Sequence, residues 1–166
     1  MEEPKLADIE MLRGLLAYQF GRGAEKILEG ELRIKRSKAT GRVREVYVDG
    51  VLLGTIRASD GFFIPSLRGA VKLLEHVPYP RLRVVVPHEV AAHVARGRTV
   101  FCKHVVDVDL EIRPGDEVVV VDEDDRVVAV GKAVVSGIEM LTKSSGKAVK
   151  VRRGSRQGLG NGHKAD

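Results

Sequence analysis

Residues 110–141 read LEIRPGDEVVVVDEDDRVVAVGKAVVSGIEML, and this stretch decides the fold class. The turn Pro114-Gly115-Asp116 opens a strand and an acidic turn closes it. Between them Val118, Val119, Val120 and Val121 form a run of β-branched residues bounded by turn formers, the pattern of a buried strand. The return strand, residues 126–135, is equally rich in valine, and Gly131 marks a bulge or a close backbone approach there. Just upstream, residues 83–86 predict another strand. Pro87 or His88 then begins a short helix buried through Val90, Ala91 and Val94, with Gly97 as its left-handed C-terminal residue. Further strands are expected over residues 99–107 and 148–152.

The first half reads as a helix on an antiparallel meander. Asp8 is placed to cap a helix with Ile9, Leu12, Leu16 and Phe20 on one face, broken at Gly21-Arg22-Gly23. The alternating segment ELRIKRS predicts a strand, and Asp49-Gly50 joins two more as a tight hairpin. Asp60-Gly61 makes another turn. Ser66 then caps a helix expected to bury Leu67, Ala70, Val71 and Leu74. Prolines in residues 77–80 stop that helix and form the linker. The whole predicts an α+β protein. Residues 1–78 form a helix-on-sheet domain, residues 79–155 a mixed β pseudo-barrel, and residues 156–166 a disordered tail.

A chain of 166 residues with 43% hydrophobic and 31% charged residues has enough apolar surface for a core. No apolar run approaches the ~20 residues of a membrane helix, and the start MEEPKLADIEML lacks a secretory pattern. A cytoplasmic location without a membrane partner is expected. The lone Cys102 excludes an internal disulfide and any multi-cysteine zinc site. One Asn and two Gln against 28 Lys+Arg and 23 Asp+Glu suit the protein of a thermophile. The formal charge of +5 is segregated. Residues 33–44 and 143–156 carry Lys and Arg without an acid, whereas residues 107–125 hold nine acids against Arg113 alone. This predicts one anion-binding face and one acidic face.

The opening stretch, read with VVVPHEVAAHVARGRTVFCKHVVDVD at residues 84–109, resembles the PUA domain, a small RNA-binding pseudo-barrel of many RNA-modification enzymes. Residues 18–24, YQFGRGA, and 46–74, VYVDGVLLGTIRASDGFFIPSLRGAVKLL, resemble the cystatin-like pre-PUA domain of archaeosine tRNA-guanine transglycosylases. In that archaeal family the two domains lie behind a catalytic barrel with a cysteine-rich zinc site. Such a barrel takes about 250 residues, and the chain has no counterpart of it. The resemblance therefore implies a non-catalytic protein that recognises structured RNA, such as the acceptor region of tRNA, or rRNA. The alternative is an accessory subunit of a split modification enzyme, acting with a separate catalytic chain.

No residue set supplies a catalytic centre, and no cofactor is expected. Cys102 and His104 would share one face of a strand, but no acid or oxyanion motif accompanies them. His88, Glu89 and His93 read as helix-surface polarity rather than metal ligands. Arg22 reads as a buried arginine tying the helix end to the sheet, with a phosphate clamp as the alternative. The resemblance places RNA contacts on residues 95–105. There Arg96, Arg98, Lys103 and His104 offer donors to phosphates and 2′-hydroxyls, and Gly97 admits a close backbone approach. Gly131 and Lys132 occupy the matching place on the later strand, and Arg152 and Arg153 extend the basic edge.

Overall fold

The computed structural model describes residues 1–157, so most of the expected tail, residues 158–166, lies outside the described residues. The chain divides into two compact units, Met1–Pro78 and a second starting at Tyr79.

In the first unit, α1 (Leu6–Phe20) buries Leu12, Leu16 and Phe20. Lys5, not Asp8, is its N-cap; Asp8 lies one turn in and accepts a hydrogen bond from the Lys5 N–H at 2.8 Å. The strands β1 (Leu32–Arg36), β2 (Val43–Val48), β3 (Val51–Ile56) and β4 (Phe63–Pro65) form an antiparallel sheet in sequence order. At the β2–β3 hairpin Asp49 and Gly50 both take positive φ, 50° and 80°, the geometry that suits the right-handed twist of the strands. Ser66 caps α2 (Leu67–His76), accepting from the Gly69 N–H at 3.0 Å. The helix is rolled relative to the expected face: Gly69, Ala70 and Leu73 are buried, while Val71 is 46% exposed. Gly69 sets the roll, because a Cβ there would lie 1.9 Å from the Leu53 carbonyl oxygen. Phe20 and Phe63 meet edge to face, centroids 6.1 Å apart, inside this core.

The second unit is a curled, mixed six-stranded sheet in the order β6-β10-β9-β8-β5-β7. Its strands are β5 (Arg83–Val85), β6 (Val100–Phe101), β7 (Asp107–Val108), β8 (Glu117–Val121), β9 (Val127–Ala133) and β10 (Lys147–Gly154). Among the described residues only β5 and β8 pair in parallel. All five residues of β8 are buried, as its valine run requires. Two short helices, α3 (His88–Val94) and α4 (Gly137–Thr142), complete the unit. Val84, Val94, Val100, Val118, Met140 and Val149 belong to its core.

One strand expected from the sequence is not continuous. Residues 99–107 form β6, then a 3-10 turn at Cys102–His104, and only then β7. The physical reason is a change of partner: β6 pairs with β10 and β7 pairs with β5, at opposite edges of the sheet. Cys102 and His104 therefore do not share a strand face; Cys102 is buried and His104 half-buried. The ordered chain also runs beyond Ser155. The Arg156 N–H donates to the Ala95 carbonyl at 2.7 Å, and the Gln157 N–H to the Gly154 carbonyl at 3.2 Å. Among the described residues, no helix is long and apolar enough to cross a membrane.

Candidate nucleic-acid interface

The charge segregation of the sequence is redistributed by folding. Half of the basic run at residues 33–44 is neutralised by acids, most of them distant in sequence, while Lys38, Arg42 and Arg44 are exposed and form no ion pair among the described residues. Arg33 lies 3.8 Å from Glu3, Lys35 3.9 Å from Glu45, and Arg36 pairs with both Glu2 and Asp8 at 3.0 and 2.5 Å. The strand β1 cations are thus compensated, and the run's remaining exposed charge lies at Lys38, Arg42 and Arg44. Arg22, expected to be buried, is exposed.

The acidic run at residues 107–125 is partly turned inward, with Asp109, Glu117 and Asp122 buried, while Glu111, Asp116, Glu123, Asp124 and Asp125 stay exposed. Buried Asp109 accepts from the N–H groups of Leu82 and Glu111, at 2.8 and 2.9 Å. Asp122 caps its own turn through the N–H groups of Asp124 and Arg126. Asp125 holds buried Arg83 in a bidentate pair, both contacts 3.0 Å. Tyr79 donates to Asp107, and its phenol is pushed up to about 12 by that hydrogen bond and by burial.

The second basic run has a different fate. β10 lies between β6 and β9, and this corner of the sheet gathers cations from three parts of the chain. Lys132 and Lys150 are direct cross-strand partners and both are exposed. Lys147 stands opposite Phe101, which is 40% exposed. Arg96 and Arg98 flank Gly97 at the end of α3, and Arg156 is bonded back to the same place through Ala95. Lys103, in the 3-10 turn after β6, is exposed, and Cys102 ties that turn to Gly146 at the start of β10. Arg96, Arg98, Lys103, Lys132, Lys147, Lys150 and Arg156 are all exposed, and none forms an ion pair among the described residues. Like charges directly opposite on neighbouring strands are destabilising in water; on its other side Lys132 stands opposite Glu117 of β8.

The other residues singled out from the sequence have more structural surroundings. Arg152 is ion-paired to Glu117, whose side chain is only 2% exposed. Gly131 is where the backbone of β10 comes close: a Cβ there would lie 2.3 Å from the Lys150 carbonyl oxygen. The register of β10 also slips between Val151 and Arg153, just opposite. Arg153 is half-buried and His104 half-buried. Gly97 has φ +99°, and the space its Cβ would take is filled by the Gln157 side chain, Nε2 2.7 Å away. Lys147, Lys150 and Arg156 were missed as site residues, although their signal was present in the acid-free run; strand pairing was needed to place them.

Burial pushes the Cys102 thiol up, away from the reactive thiolate. Among the described residues one group could hold a metal: His88, Asp122 and Asp124, with ligand atoms all within 4.8 Å of one another. Glu89 and His93 are not part of it. The His88 Nε2 is 3.0 Å from Asp124, an ordinary surface contact between imidazole and carboxylate.

Comparison with known proteins places this geometry. Residues 10–80 match the patch-forming domain C2 of tRNA-guanine transglycosylase, and residues 82–155 match the PUA domain. The chain is 44% identical over 147 residues to a tRNA-guanine(15) transglycosylase of Pyrococcus abyssi, covering 88% of this chain and 25% of that one. It is 40% identical over 153 residues to that of Methanothermobacter thermautotrophicus, covering 92% and 23%. The chain thus spans about a quarter of the length of these relatives. Among solved structures, a hypothetical protein of Pyrococcus horikoshii superposes with a TM-score of 0.74 and 27% identity over 93% of each chain. A conserved PUA domain protein of Thermoplasma acidophilum gives 0.70 and 22% over 95% of each, a likeness of fold.

Proposed function

With a C2 domain of the tRNA-guanine transglycosylase kind over residues 10–80 and a PUA domain over residues 82–155, this chain is a PUA-domain protein, and we propose that it binds structured RNA without catalysing a reaction itself. The observation that carries the reading is the set of seven exposed, unpaired cations, Lys132, Lys147 and Lys150 on β9 and β10 and Arg96, Arg98, Lys103 and Arg156 in the segments adjoining β6 and β10. Most other strand cations are neutralised, and this edge brings exposed cations from several parts of the chain near one another, where they are available to phosphates.

The RNA we propose is tRNA, gripped at its acceptor region. Arg96, Arg98, Lys103, Lys132 and Lys150 contact phosphates and 2′-hydroxyls, while exposed Phe101 offers the nearest stacking surface. Gel-shift competition tests this: intact tRNA should compete well, and tRNA stripped of its acceptor stem should compete at least about tenfold less effectively. Equal competition would move the site elsewhere on tRNA.

A second reading rests on a specific observation: relatives matching nearly all of this chain are about four times as long. The chain would then serve in trans as the RNA-gripping part of an enzyme whose catalytic part is a separate protein. Affinity capture with nuclease treatment separates the readings, since a protein partner retained after RNA is digested favours the accessory role.

A further inference from the structure

The cleft between the end of α3 and the end of β10 is filled by the chain itself. The Gln157 carboxamide lies over Gly97, and its Oε1 accepts the Gly154 N–H at 2.5 Å. Both glycines are required by the close approach. A Cβ on Gly154 would lie 2.3 Å from the Ala95 carbonyl oxygen and 2.7 Å from the Gly97 nitrogen. A Cβ on Gly97 would strike Gln157. Exposed Arg96 and Arg98 flank Gly97 in the chain, and exposed Arg156 precedes Gln157. Two glycine backbones and a side-chain plug thus meet beside three exposed arginines, where the RNA is proposed to dock.

We propose that Gln157 is a built-in competitor for RNA, its carboxamide standing in for the carbonyl edge of a nucleobase that accepts the same Gly154 N–H. This rests on the RNA-binding reading and adds to it a regulated subsite. The occupant is a neutral amide, an oxygen acceptor beside an N–H donor, and the C=O/N–H edge of uracil or guanine presents the same pair of groups. One hydrogen bond holds the plug's oxygen, so its displacement costs little and is repaid by the bond that replaces it. The free protein divides between plugged and open forms, and apparent affinity is reduced by the open fraction.

The test uses the full chain and tRNA. Gln157→Ala, and Gln157→Met, which keeps the length without the acceptor, should each bind tRNA about three- to tenfold more tightly than wild type. Circular dichroism verifies that both fold. A second measurement needs no variant: Gln19, Gln157 and Asn161 are the only side-chain amides of this type in the chain, so the Gln157 NH2 signal is readily followed by NMR. It should shift on tRNA addition while that of Gln19 stays. Unchanged or weaker binding by both variants, with a static Gln157 signal, overturns the competitor role. If Arg98→Ala with Lys132→Ala loses tRNA at the same time, the RNA reading survives that failure; if that double variant binds normally, the RNA reading itself fails.

Discussion

Arg152 on β10 and Glu117 on β8 reach across the intervening β9 to form an ion pair, with Nη1 and Oε1 2.6 Å apart and Nη2 donating to Oε2 at 2.9 Å. Arg152 therefore stitches three strands together and is spoken for structurally. Removing the acid leaves a largely buried guanidinium without its counter-charge. Glu117→Ala should cost about 2–4 kcal/mol in urea denaturation, with tRNA affinity at low temperature close to wild type. An unchanged midpoint would show that the pair contributes nothing net.

Two glycines of the first unit make opposite predictions. Gly14 lies inside α1, and the position its Cβ would occupy has nothing within 4 Å, so Gly14→Ala should stabilise by about 0.5–1 kcal/mol through helix propensity. Gly69→Ala drives its methyl group into the Leu53 carbonyl and should cost about 3 kcal/mol or more. Thermal unfolding of the two variants beside wild type checks both signs.

Acid sensitivity should centre on Asp8. The hydrogen bond from Arg36 holds its carboxyl below the ordinary range, against a smaller opposing effect of burial. A carboxylate depressed in the folded state adds stability that is full above its unfolded pKa, near ~4, and is lost as pH falls through the lowered value. Asp8→Asn should therefore be less stable than wild type at neutral pH, and the gap should close below about pH 4. A gap independent of pH would remove the ion pair as its cause.

The elements set by local chemistry were legible in the sequence, and those set by distant partners were not. Asp49-Gly50, the Ser66 cap and the valine run of β8 each follow from the residues at that spot. The break at Cys102–His104 does not, because it arises from β6 and β7 pairing at opposite sheet edges. The roll of α2 depends on Gly69 meeting a carbonyl of β3. In the candidate site, Arg98 and Lys132 were singled out through the family resemblance, whereas the neutralisation of Arg33, Lys35 and Arg36 needed acids brought from residues 2, 3, 8 and 45.

The second unit carries its own core, so a fragment of residues 79–157 should fold alone. Including Arg156 and Gln157 matters, since both bond back to the unit. A cooperative thermal transition by circular dichroism is the expected outcome, and a featureless melt would tie that core to the first unit.

The salt dependence of tRNA binding tests the central claim most directly. If the unpaired edge neutralises roughly three to six phosphates, affinity should fall roughly 10²–10⁴-fold between about 50 and 300 mM salt. Replacing Arg98 and Lys132 with alanine should weaken binding for all RNA sequences and lower the logarithmic salt slope by about two. Binding that ignores salt, or a double variant with the wild-type slope, would contradict the assignment of this edge to RNA.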